Sequence, residues 1–196
     1  NGPLVVQAFL AGDLEIAMTG TEIILQAISK GADIKAIAGG NAASPFFLVA
    51  RADVPTPKLS QGYPDLMHDL KGKKVGIPAR GSQGEQLFVS LLKGAGLSEK
   101  DVTMIAIGGP ATGYPALAAK QIDFLMNVPP ADGFCQVVET CRILVDLRKG
   151  EGPESVRSMV GASIPHFAKQ EYVEKHPHVI EALRLAVRDA NRFVQD

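Results

Sequence analysis

The chain has no tryptophan, two cysteines and four histidines among 196 residues, and only 6% of it is aromatic. Two cysteines are too few for a disulfide framework, so an apolar core must hold the fold. Cys135 and Cys141 lie six apart in a stretch that reads as helical. Six helical residues rise about 9 Å, beyond the usual Cα separation of a disulfide, so both are expected as small, half-buried hydrophobes. The histidines offer one metal-like spacing, His176-x-His178, with no acidic or cysteine partner at ligand spacing. No metal or other cofactor is expected. Neither sign of charge is in excess: 20 basic residues face 21 acidic ones, for a net charge of −1. That excludes a general nucleic-acid binder, which carries a basic stripe, and a polybasic membrane anchor. No run of 18 apolar residues occurs, so no segment reads as a membrane-spanning helix. The chain opens on Asn1-Gly2-Pro3, without an initiator methionine or a signal peptide.

What is present is ordinary for a folded protein: 46% apolar and 21% charged residues, at a length that suits one domain or two small ones. Helical and strand patterns alternate. Leu4 to Ala11 reads as a helix stopped by Gly12, Leu14 to Met18 as a strand, and Thr21 to Ile28 as a helix ended by Gly31. Ile34 to Ala38 and Phe46 to Ala50 read as strands, and the segment holding Pro55 and Pro57 as a breaker-rich loop. Further strands are predicted over 73–77, 102–107, 122–128, 143–147 and 158–164, and helices over 84–95, 114–120 and 131–140. Pro165 to Asp196 reads as helical throughout, with Ile180, Leu183, Val187, Ala190 and Val194 as its apolar stripe. The alternation predicts an α/β fold with largely parallel sheets. Phe9 to Thr19 resembles Leu117 to Asn127 at an offset of 108, matching helix end, acidic residue, strand and terminal polar residue. Two lobes of similar construction follow, with residues 1–51 and 161–196 in one and 52–160 in the other.

Ligands of open α/β sheets bind beyond the carboxyl ends of the strands. Those ends are small and polar here: Thr19-Gly20-Thr21, Gly39-Gly40-Asn41, Arg80-Gly81-Ser82-Gln83, Gly108 to Thr112, and Asn127 to Pro130. Arg80 to Gln83 combines a guanidinium, a flexible backbone, a hydroxyl and the first N–H groups of a helix, which suits an anion. Ser82 equally suits a helix N-cap, and the two roles are compatible. The Gly108–Gly113 spacing imitates a phosphate loop, but Tyr114-Pro115 stands where Lys-Ser/Thr is needed. Glu15 and Asp123 open strands at the opposite ends and are expected to be structural, and Asp132 to serve a helix N-terminus. No titratable pair stands out for acid–base chemistry.

Leu70 to Pro78, Gly81-Ser82, Ala116 to Asp123 and Pro129-Pro130, with Ala8 to Ala17 ahead of them, together resemble the solute-binding proteins of ABC importers, in the NMT1/THI5-like branch. The resemblance runs over nearly the whole chain in order. It implies a type II periplasmic-binding-protein fold, truncated at both ends, whose two lobes close over a small molecule. Carried over position by position, it implies ligand contacts from Thr19, Gly20, Thr21, Gly40, Asn41, Gly81, Ser82, Gln83, Asn127 and Pro129, with Arg80 beside them. Aromatic clamps would have to come from Phe46, Phe47, Tyr114 or Phe134. The implied ligand is a sulfonate, a carboxylate or a pyrimidine-like molecule. The implied partner is a membrane permease, and the place the periplasm or the outer face of the cytoplasmic membrane. The same resemblance admits a pyrimidine-synthase-like enzyme, but its cysteine-rich motif and histidine are absent. It also admits an effector-sensing domain of a transcription regulator, but no helix-turn-helix segment is visible.

Overall fold

A computed structural model describes residues 2–41, 43–158 and 163–195. The chain sorts into two compact units, Asn1–Ala42 with Gly161–Asp196, and Ala43–Val160.

The first unit opens with helix α1 (Gly2–Ala11), which buries Val6 and Phe9 and is stopped by Gly12 in a left-handed turn, φ 91°. Strand β1 (Ile16–Met18), helix α2 (Thr21–Ser29) and strand β2 (Ile34–Ala38) follow. Helix α2 turns Ile23, Ile24 and Ala27 into the core, at helical spacing. The unit is completed by strand β8 (His166–Lys169) and helices α7 (Gln170–Lys175) and α8 (Pro177–Gln195). β8 lies between β1 and β2, antiparallel to both. Its Phe167 is fully buried against Phe9, with ring centroids 4.8 Å apart.

The second unit contains β3 (Phe47–Arg51), β4 (Lys74–Ile77), α3 (Gln83–Gly94), β5 (Thr103–Ala106), α4 (Pro110–Ala118), β6 (Phe124–Asn127), α5 (Ala131–Val138), β7 (Cys141–Asp146) and the short α6 (Glu154–Arg157). Its sheet runs β5-β4-β6-β3-β7. β4 is parallel to β5 and β6, and β3 is antiparallel to β6 and β7. One face packs on Leu87, Phe88, Leu91 and Leu92 of α3, the other on Ala116 and Leu117 of α4. Each of these leucines and the phenylalanine contributes about 1.5–3 kcal/mol of burial.

In both units the antiparallel strand is the first to follow the chain's entry from the other unit, and both carry a proline two residues before a fully buried phenylalanine: Pro45 with Phe47, Pro165 with Phe167. The repeat seen in the sequence reaches the backbone as well. Lys120, the counterpart of Gly12, is also left-handed, φ 59°.

Several expectations are corrected. The sheets are not largely parallel: the five-stranded sheet is mixed and the three-stranded one antiparallel, because β3 and β8 run against their neighbours. Phe47–Arg51 belongs to the second unit, not to the stretch 1–51 of the first. Residues 47–50 are all fully buried, which needs cover on both faces, and the central position between β6 and β7 supplies it. Pro55 and Pro57 lie in a loop inside that unit. The C-terminal stretch is not helical throughout, since β8 precedes α7. The strand predicted over 158–164 is absent from Ser158, Ser163 and Ile164, and its residues 159–162 lie outside the described residues. Helix α4 begins at Pro110, within the predicted loop, because proline fits the first helical position. Helix α5 ends at Val138, and Glu139 turns left-handed, φ 51°. That reversal brings Cys141 back to Cys135 with a Cα separation of 4.7 Å, and the two form a disulfide instead of sitting free on one helix.

Candidate functional site

In the first unit the carboxyl ends of β1 and β2 flank the start of β8. Thr19 is buried, Gly20 is the N-cap of α2, and the carbonyl of Gly20 accepts from the N–H groups of Ile23 and Ile24. The Thr21 N–H donates to the Ser163 carbonyl at 3.2 Å. Gly40 lies so close to the same segment that a Cβ there would stand 1.6 Å from the Ile164 carbonyl oxygen. The segment before β8 therefore joins Thr19–Thr21 to Gly40, and Ser163, almost wholly buried, sits between them. Asn41 is exposed. Gly39 and Gly40 also border a shallow groove of about 570 Å³ against Arg184, Arg188 and Arg192 of α8. Arg184 Nε donates to the Ile37 carbonyl at 2.7 Å, and Arg188 pairs with Asp189. Sequence reasoning passed over this groove, although arginines four apart on one helix were a visible signal.

In the second unit the strand ends form a row across three strands. Phe47 is the cross-strand partner of Asn127 in β6 and of Asp146 in β7. Asn127 is fully buried; its Oδ1 accepts from the Val128 N–H, and its Nδ2 has no hydrogen-bond partner among the described residues. A Cβ on Gly113 would come within 2.5 Å of that Nδ2, so only glycine lets α4 pass over the amide. Arg148 lies over the Phe47 ring, 4.8 Å from its centroid. Its Nε and Nη2 donate to the two Asp146 oxygens at 2.8 and 2.9 Å, and its Nη1 donates to Asp132. These hydrogen bonds hold the Asp146 carboxyl below the usual carboxylate range and push the guanidinium further up. Asp132 thus serves Arg148 as well as its helix terminus, and the network is not legible in the sequence because it joins Asp132 in α5 to Arg148 beyond β7. Pro129 is exposed beside it.

The other candidate cradle is largely spent on itself. Ser82 caps α3, accepting from the Glu85 N–H at 3.3 Å while its hydroxyl donates to the Ala79 carbonyl at 2.7 Å. The Gly81 N–H donates to the Glu85 carboxylate. Arg80 is paired with Glu85 at 2.7 Å and donates to the Met104 carbonyl at 2.8 Å. Gln83, the first residue of α3, is buried. Of the two roles open to Ser82, the cap is present, and Glu85 occupies the cradle as an internal anion. Thr112 likewise donates its hydroxyl to the Ile107 carbonyl, closing the turn after β5. At the opposite strand ends Asp123 accepts from the Lys74 N–H at 3.0 Å and pairs with Arg51 at 3.3 Å, a structural role. Glu15 lies by Tyr172 of α7, and its carboxylate raises the Tyr172 phenol.

The candidate residues thus fall into two sets, Thr19, Gly20, Thr21, Gly40 and Asn41 in one unit, and Arg80, Gly81, Ser82, Gln83, Asn127 and Pro129 in the other. The family model described as "NMT1/THI5 like" matches residues 1–196. The chain belongs to the NMT1/THI5-like family. A protein of Brucella abortus strain 2308, named only as a binding protein, is 30% identical over 193 residues, covering 98% of this chain and 54% of its own length. The chain therefore spans about half the length of the curated relatives it matches. Among solved structures, one from Bordetella bronchiseptica RB50 is 24% identical with a TM-score of 0.78, covering 100% of this chain and 60% of that one. The periplasmic aliphatic sulphonate binding protein SsuA of Escherichia coli is 20% identical with a TM-score of 0.67, covering 93% and 56%. The alkanesulfonate-binding protein SsuA of Xanthomonas axonopodis pv. citri, bound to MOPS, is 21% identical with a TM-score of 0.65, covering 92% and 57%. At these identities the structures establish the fold, that of type II periplasmic binding proteins.

Proposed function

We propose that this chain belongs to the solute-binding component of an ABC importer and captures a small polar or anionic organic solute. The observation that carries the reading is the family match along the whole chain. The small, polar strand ends of both units give such a solute hydrogen-bonding partners. In this reading Thr19–Thr21 and Gly40–Asn41 contact it from one unit, and Arg80–Gln83, Asn127 and Pro129 from the other. Contacts made only when both units hold the ligand shift the population toward a closed state, which a membrane permease then recognises. The Cys135–Cys141 disulfide supports a periplasmic or extracellular location, since disulfides persist in oxidising compartments. No helix among the described residues is long and apolar enough to cross a membrane.

A thermal-shift screen of sulfonates, carboxylates and pyrimidines on the full-length protein tests the reading, because a ligand that binds the native state raises its melting temperature. One class should shift the midpoint and, at saturation, reduce the radius of gyration in solution scattering. No shift from any class, or an unchanged radius with a bound ligand, counts against it. Glu85→Gln separates the ligand classes. An anion at Ser82 must compete with the Glu85 carboxylate, so removing that charge should tighten its binding by about tenfold, the size of one charge-assisted hydrogen bond. A pyrimidine held by Thr19, Asn41 and Asn127 should bind Glu85→Gln as it binds the unsubstituted protein.

A further inference from the structure

Helix α5 follows Pro130 directly, so it begins where the candidate binding residues Asn127 and Pro129 end. Of its eight residues only Ala131 and Cys135 are buried, while Phe134, Val137 and Val138 are exposed. An eight-residue helix with so little burial does not hold its place by packing alone. It is instead linked at two points to β7 or to the turn that follows it. In its first turn, Asp132 is gripped by Arg148, which in turn grips Asp146 at the end of β7. Three residues on, at mid-helix, Cys135 is bonded to Cys141, the first residue of β7. Between them Phe134 stacks on Tyr114 with centroids 4.8 Å apart, and the Tyr114 hydroxyl meets the Thr140 hydroxyl at 2.9 Å.

We propose that the Arg148–Asp132 and Cys135–Cys141 links are positioning elements for the binding face. They tie the first turn and the middle of α5 to β7 and the turn after it, and thereby set the Asn127–Pro130 loop that leads into the helix. Neither link touches the solute. Each alone keeps the helix fastened at one point, so they substitute for one another, and the loop is released only when both are cut. The effect on binding rests on the solute-binding reading above; the effect on the helix does not.

Hydrogen exchange on the full chain tests the two parts separately. The link in the first turn is cut by Asp132→Ala, which leaves the Arg148–Asp146 pair in place. The disulfide link is cut by reduction or, because both cysteines are buried, by the double substitution Cys135→Ala with Cys141→Ala. Either cut alone should speed exchange in α5 by about threefold or less, and both together by more than about tenfold, with protection in α3 and β4 unchanged, the pattern of local opening. Unaltered protection of α5 after both cuts, or a rise shared equally by α3 and β4, overturns the proposal. Calorimetric titration with ethanesulfonate and with 4-aminopyrimidine supplies the binding arm. Whichever compound the unsubstituted protein binds should bind the reduced Asp132→Ala protein at least about tenfold more weakly. Reoxidation should recover most of that loss. Full affinity in a protein whose α5 exchanges freely also overturns the positioning role. If the unsubstituted protein binds neither compound, the sulfonate and pyrimidine readings are wrong, and the exchange result still decides whether the links hold the helix.

Discussion

Arg148 shows how one side chain can order a strand end. Its planar guanidinium reaches two carboxylates on different elements while its face lies on Phe47. Asp146, its main partner, is held below the ordinary carboxylate range by those hydrogen bonds. A depressed carboxyl stabilises the fold above its unfolded pKa of about 4, and that contribution is lost as the pH falls through the lower folded value. Asp146→Asn should therefore cost about 2 kcal/mol at pH 7, within the range for hydrogen bonds to charged groups. In urea unfolding the difference from the unsubstituted protein should stay level down to about pH 5 and shrink below pH 4; a difference constant from pH 7 to pH 2 would show that the charge contributes nothing. Residues of this kind were hard to read from the chain. Asp132, Asp146 and Arg148 look like ordinary surface charges until β7 is known to end beside α5. Ser82 is legible as a cap, because its role needs only the helix that follows it, but the Glu85 carboxylate fills its cradle through a side-chain conformation that the sequence does not show.

Among the elements, the strands flanked by glycine or proline were legible, because an apolar run between two breakers has few other uses. Strand β8 was not. His166–Lys169 is four residues long and leads directly into a helix, so its pattern cannot be told from a first helical turn by periodicity. Its identity comes from partners more than 120 residues away, β1 and β2. The disulfide was hidden for a related reason: the spacing argument assumed that α5 continues through residue 140, and one left-handed residue, Glu139, reverses the chain. The weight of β8 can be measured. Phe167→Ala removes a fully buried ring that meets Phe9, and should cost about 3–5 kcal/mol in chemical denaturation. A cost below about 1 kcal/mol would mean that the three-stranded sheet is not held by this contact.

At the scale of the molecule, the two units share a plan, and the offset of 108 between Phe9–Thr19 and Leu117–Asn127 places the equivalent strands in separate sheets. The family match accounts for why weak motifs in the right order were informative although none was decisive alone. The units differ in how their chain is supplied. The second is drawn from one continuous stretch, the first from the two ends. A fragment of residues 43–160 should therefore give a cooperative unfolding transition and protected amides in β4 and β6, whereas a fragment of residues 1–42 should remain unstructured by circular dichroism. In the first unit's sheet β1 and β2 each pair with β8 and not with each other. Until residue 169 has been made, β1 and β2 have neither of the pairings described above, and Phe9 waits without its partner ring. The nascent chain must thus carry an unfinished first unit ahead of a finished second one, so a protease or a chaperone encountering it midway would recognise residues 2–41, although they were made before the finished unit.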